Sequence, residues 1–299
     1  MERLKIDQVS LESSDNELME KMKQYYLSSP TSVKYINDLG ISEQEVEDNI
    51  SKIYDFAFDV EYCKKCPGVK KCAKANPLLC IKIIYDHGVV DRQLVPCKEL
   101  LKQVAFERQF VVKDFNDDWL DATLRNIDRN KGRDEALLKY RDFIKNNQNS
   151  WIYLIGNKNS GRSYFAAVLT IDAARKEKGP ICFLDSTSRL RELGDLSKDR
   201  KKEEFDKKLA LYSNVPILVL DDFGNEFKSD FSRDAILFPI LSTRASKRLL
   251  TIFTSDFTIE EIQTLYGTTK VGEIRAKQLA NLIKSMSDKE INLGDLSIY

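Results

Sequence analysis

The sequence predicts an α/β protein: a parallel sheet covered by helices in the C-terminal part of the chain, and a smaller, largely helical module before it. Three observations predict it. Trp151 to Ile155 is a short apolar run that meets Gly156, a polar loop and Gly161, then the apolar-rich run Tyr164–Ala174, of helical length. Ile217 to Leu220 is a second aliphatic run, ending on Asp221 and Asp222. Five of the six cysteines fall within Cys63–Cys97, ahead of both runs. Apolar strands alternating with helices form a sheet buried on both faces. We expect domains at 1–105 and 119–299, joined by a linker over 106–118.

The first run ends in the pattern G-x-x-x-x-G-[basic]-[ST], filled by Gly156, Asn157, Lys158, Asn159, Ser160, Gly161, Arg162 and Ser163. Strand, glycine-bounded loop and helix is the context of a phosphate-binding loop. The glycines let backbone N–H groups turn inward, and the helix N-terminus adds positive potential. These eight residues and Tyr164 are the expected ATP contacts. Arg162 stands where a lysine is expected and brings a bulkier, differently aimed planar fork. Asn159 occupies a position where a third glycine is often found.

The second run delivers carboxylates to a strand's C-terminal tip, where ligands of α/β sheets bind. Asp221 is expected to hold Mg²⁺ through its water shell. Asp222 stands where many ATPases carry a glutamate base. Leu249–Phe253 is a further strand, ending in Thr254, Ser255 and Asp256. Asp221 and Asp222 are the candidate catalytic residues; Asp256 joins them only through the family resemblance.

Composition limits the rest. At 299 residues the chain can hold two domains, and its 47 basic and 47 acidic side chains cancel. No global charge argues for nucleic acid or membrane. Residues 1–60 carry thirteen acidic and six basic side chains; residues 61–104 reverse this with nine basic and four acidic. No run approaches the roughly 18 apolar residues of a membrane span, and MERLKIDQVS lacks a secretory pattern. The expected address is the cytoplasm.

Residues 1–58 read as helical. Ser42 and Glu45 make a capping box, and Val46, Ile50, Ile53, Tyr54 and Ala57 form an apolar stripe that is core or receives a partner helix. In a reducing compartment the cysteine cluster reads as metal before disulfide. Cys63 and Cys66 are spaced as C-x2-C, Pro67 and Gly68 turn the chain, and Cys80 opens a strand over Ile81–Tyr85. We expect Zn²⁺ on Cys63, Cys66, Cys80 and Cys97, with Cys72 and His87 as competitors. Four thiolates leave no open position, so such a zinc is structural. Residues 106–118 read as a connector whose aromatics pack along the second domain. Trp119–Asn146 reads as helical with an interruption near Lys131-Gly132. The basic run Arg189, Arg191, Lys198, Arg200, Lys201 and Lys202 reads as a solvated loop or a weak single-stranded DNA contact, with no aromatic ladder apparent.

Leu220-Asp221-Asp222-Phe223-Gly224-Asn225-Glu226, Ser232-Arg233-Asp234, Leu241-Ser242-Thr243-Arg244 and Thr251-Ile252-Phe253-Thr254-Ser255 together resemble bacterial replicative helicase loaders of the DnaI/DnaC type, within the AAA+ superfamily. The cysteine module is similar to the zinc-binding N-terminal domain of the DnaI branch. The resemblance implies an AAA+ P-loop domain at the C-terminus and a helical, zinc-binding N-terminal domain. It implies a replicative DnaB-type helicase as partner, with single-stranded DNA and self-association as further expectations. Three departures point to weak or lost hydrolysis: Arg162 for lysine, Asp256 for the sensor asparagine, and Ala280–Lys284 where the family carries an arginine for its neighbour's nucleotide. The competing functions are a non-catalytic adaptor of the same fold and an IstB-like transposition ATPase, which is expected to lack the cysteine module.

Overall fold

The computed structural model describes residues 8–146, 150–267 and 269–294, with side chains from residue 16. The expectations on residues 1–7 and 295–299 lie outside the described residues. The chain divides into two compact units at 104/105.

In the first unit, helices α1 (Gln8–Leu27), α2 (Pro30–Asp38), α3 (Glu43–Asp48) and α4 (Ile50–Lys64) precede an antiparallel hairpin of β1 (Leu79–Asp86) and β2 (Val89–Pro96). The Ser42–Glu45 capping box forms at the start of α3. The helix it opens is shorter than the stripe suggested, because the backbone breaks at Asn49 before α4 starts. The stripe is core: Val46, Ile50, Ile53 and Ala57 are buried with Ile36, Ile83 and Val90. His87 and Gly88 turn the hairpin with positive φ. Helix α5 (Lys98–Glu107) crosses the division between the units.

The second unit is a six-stranded, all-parallel sheet. Its strands are β3 (Phe110–Lys113), β4 (Ile152–Ile155), β5 (Ile181–Asp185), β6 (Ile217–Asp221), β7 (Leu250–Ser255) and β8 (Glu290–Asn292), in the order β3-β5-β6-β7-β4-β8. Helices α6 (Lys131–Asn146), α7 (Arg162–Arg175), α8 (Ser186–Lys198), α9 (Lys202–Asn214), α10 (Phe238–Ser246), α11 (Ile259–Tyr266) and α12 (Lys270–Ser287) complete it, and a π-helical turn (Ser232–Leu237) leads into α10. Along the four central strands, β4 to β7, alternate side chains enter opposite cores. Ile152, Leu154, Val219 and Ile252 pack on one face with α7. Tyr153, Leu218, Leu220 and Phe253 pack on the other with α10–α12. That two-sided burial explains why the strands are continuous apolar runs.

Two expectations change. Residues 106–118 are more than a linker, because Phe110–Lys113 pairs with β5 as an edge strand; their aromatics pack on the second unit as expected, with Phe115 buried and Phe106 and Phe110 against the same core. Helix α6 begins at Lys131, where an interruption was expected, because the Asn130 side chain accepts the Arg133 amide at 2.8 Å. Most of 119–130 is turns, with a short 3-10 turn at Leu124–Asn126.

Candidate functional site

The loop between β4 and α7 has the shape of a phosphate cradle. Gly161, in the left-handed region, precedes the first turn of α7, and Asn159 adopts the same region with φ 68°, the conformation that glycine ordinarily supplies. Ser160 is 2 % exposed and its hydroxyl has no hydrogen-bond partner, while its carbonyl accepts from Arg133 Nη2 at 2.9 Å. A side chain at Gly156 would meet that hydroxyl, as its Cβ would lie 2.7 Å from Ser160 Oγ. Asn157 and Lys158 are exposed at the tip. Tyr164 faces elsewhere, packing edge-on against Trp119.

Strand order places the acids beside the loop. Asp221 hydrogen-bonds the Ser163 hydroxyl and accepts from Thr254 Oγ1. Burial pushes the Asp221 carboxyl up, and those two hydroxyls oppose the shift. Asp222 sits in the left-handed region; its amide donates to Thr254 Oγ1 at 2.9 Å and its Oδ1 accepts from Asn225 Nδ2 at 2.7 Å. The serine, the Walker-B-like aspartates and the tip of β7 thus share one polar cluster.

Arg162 is the surprise. Its guanidinium turns back toward the strand tips, donating to the Gly156 carbonyl at 2.7 Å, to the Ser255 carbonyl and to Asp256. Asp256 thus faces the Arg162 guanidinium. Asn225 Nδ2 also donates to it at 2.9 Å. Burial pushes Asp256 up, but the Asn225 and Arg162 hydrogen bonds hold it below the usual carboxylate range.

The neighbouring motif residues are structural. Arg244 is wholly buried, donating to Thr251 Oγ1 and to the carbonyls of Tyr212, Val215 and Leu250. Arg233 pairs with Asp230 and Asp234. Glu226 is buried against the Tyr266 hydroxyl and the Gly224 amide. Ala280 and Ile283, where a trans arginine was sought, are core residues of α12.

The cysteines divide. Cys63, in the last turn of α4, and Cys80, on β1, bring their sulphurs to 3.8 Å. Asp59, one helical turn before Cys63, completes a three-residue cluster. The Lys74 ammonium lies among them, 2.7 Å from Asp59 Oδ1, 3.5 Å from Cys63 Sγ and 3.6 Å from Cys80 Sγ. Cys66 is exposed, and Cys97 follows β2 with its amide on the Leu78 carbonyl at 2.8 Å; both lie outside that cluster. His87 is on the hairpin turn, 94 % exposed and beside Asp86, seven residues along the strand from Cys80. At about 3.3 Å per residue that is roughly 20 Å, too far to share an ion. Sequence reasoning missed Asp59 and Lys74. The i, i+4 spacing of Asp59 and Cys63 was the available signal.

Comparison with known proteins agrees with this geometry. The model of the family described as IstB-like ATP binding protein matches residues 82–278. The replicative helicase loader DnaI of Bacillus subtilis (strain 168) is 24 % identical over 277 residues, covering 89 % of this chain and 88 % of that protein. A crystal structure of DnaI superposes with TM-score 0.54 at 25 % identity, covering 62 % of this chain and 97 % of that one. A protein from Streptococcus pyogenes serotype M3, described as a candidate primosome component, shares the fold with TM-score 0.52 at 24 % identity, over 66 % of this chain and all of that one. The chain belongs to the IstB-like ATP-binding protein family, among its AAA+ proteins of DnaI/DnaC type.

Proposed function

We propose that the protein is a replicative helicase loader. It binds a hexameric DnaB-type helicase and helps place it on single-stranded DNA. One observation carries this: the likeness to DnaI runs over 89 % of the chain and so spans both units. A shared ATPase core alone would also suit an IstB-like transposition ATPase. The decisive experiment mixes the protein with its own organism's replicative helicase, with and without ATP, and follows complex formation by gel filtration. A stable complex is the expected result, and no complex under either condition removes the reading.

In this reading the first unit engages the helicase and is stapled by Zn²⁺. Tetrahedral zinc with Zn–S bonds of about 2.3 Å separates its sulphurs by about 3.8 Å, the Cys63–Cys80 spacing. A lysine ammonium among Asp59, Cys63 and Cys80 marks the place as one that favours a cation. Cys66 and Cys97 are the proposed remaining ligands, reached by movement of the turn after α4 and of the hairpin's open end. Cys72 is the alternative to Cys80.

The second unit binds ATP with Mg²⁺ through Gly156–Ser163 and Asp221, with Asp222 and Asp256 at the positions that act on the attacking water. Hydrolysis is slow, because Arg162 is turned from the loop and no arginine stands at residues 280–284, where the family's trans arginine is expected. Micromolar Mg-ATP binding with stimulated turnover would count against the alternative, an adaptor that keeps the fold only as an assembly surface. Single-stranded DNA has a suitable groove of about 710 Å³, where Phe227 and Phe231 lie beside Arg191 and Lys198. Phe227 is 81 % exposed, and aromatic faces flanked by cations are what unpaired bases stack upon.

A further inference from the structure

We propose that Asp256 holds Arg162 out of the phosphate cradle, and that this hold is the lock on the nucleotide site. The proposal rests on the reading of the loop as a nucleotide site and adds how access to it is controlled.

Both residues depart from the family's pattern, and taken separately each looks like damage. The structure joins them. Arg162 is the first residue of α7 and Asp256 follows β7, whose last residue pairs with the last of β4. The guanidinium crosses that seam and fills its donors on Asp256 and on the Ser255 and Gly156 carbonyls. It is 9 % exposed, so water satisfies little of what remains. Asn225 carries the chain onward, bridging Asp256 to Asp222. A continuous polar line therefore runs from the loop's cation to the Walker-B-like acid.

The charge balance follows. A lysine with an asparagine leaves one positive charge to meet phosphates. An arginine with an aspartate leaves none at that position, so of the loop's two cations only Lys158, at the exposed tip, is left to meet phosphates, with Asp221 and Asp222 close by. An anionic triphosphate entering this site meets a cation that is already neutralised. Asn159 and Gly161, both in the left-handed region, keep the turn of the loop. What is missing is the charge, and Asp256 has it.

Reverting Arg162 alone therefore leaves the lock in place, because a lysine there still faces Asp256. Removing the carboxylate releases the cation. The test is a four-member cycle: the full-length protein, Arg162→Lys, Asp256→Asn and the double variant, each titrated with a fluorescent ATP analogue and Mg²⁺. Asp256→Asn is expected to tighten binding about tenfold or more, the scale of one partly buried unit charge at short range. Arg162→Lys alone is expected to change it less than about threefold, and the double variant to bind tightest, with a gain beyond the product of the single effects. Circular dichroism melts confirm that each variant folds. If Arg162→Lys alone delivers the whole gain, the lock is overturned while the nucleotide reading stands. If all four bind equally, the outcome is the same. If all four fold and none binds, both fall.

Discussion

Arg244 has no exposed atom of consequence, yet it is an arginine. It ties α10 to β7 and to the end of α9 through three backbone carbonyls and the Thr251 hydroxyl. Arg244→Met fills similar space but leaves those acceptors unpaired, each at about 1–3 kcal/mol when buried. We expect a loss of about 3 kcal/mol or more in denaturant unfolding, with the fold otherwise intact. Glu226 supplies a pH-dependent counterpart. Burial pushes its carboxyl above the ordinary value of 4.5, with the Tyr266 hydroxyl opposing. An acid whose folded pKa is raised contributes stability that is complete below its unfolded pKa and is lost as pH rises through the folded one. Wild type should therefore lose melting temperature from about pH 4.5 upward at this site, and Glu226→Gln should flatten that slope; parallel pH profiles of the two proteins would refute it. At this scale the sequence revealed which residue types gathered, but not which way they faced. The swap at Arg162 was visible, whereas its aim depends on a carboxylate ninety-four positions away that only strand register brings near.

Elements show the same limit differently. Long apolar strands and capped helices were legible, because their signals are local. The edge strand β3 was not, because four residues pairing with β5 on one side only leave too short a pattern. The three-residue β8 was missed for that reason too. Its packing is nonetheless tight: a Cβ at Gly132 of α6 would lie 1.9 Å from the Asn292 carbonyl oxygen. Backbone cannot yield as a flexible side chain does, so Gly132→Ala must push α6 away from β8. We expect a loss of about 2–3 kcal/mol, read as a lowered unfolding midpoint, even though alanine is the better helix former. An unchanged midpoint would mean that β8 is not anchored there.

On the scale of the whole chain, each unit has a core of its own, one centred on α4 and the hairpin and two on the faces of the sheet. Structural zinc binding is folding free energy for a small module. A strong chelator should thus lower the melting of the first unit and leave that of the second unmoved, resolved by calorimetry as a shift in one of two transitions. A chelator-insensitive scan would refute the metal. The order of the sheet has a consequence for how the protein is made. Strand β4 pairs with β7 and β8, so Ile155 finds its neighbour at Ser255, a hundred residues later. Contacts so distant in sequence form slowly. While the ribosome is still at work, β4 and the loop after it have nowhere to dock, and that bare apolar strand is what a chaperone would seize.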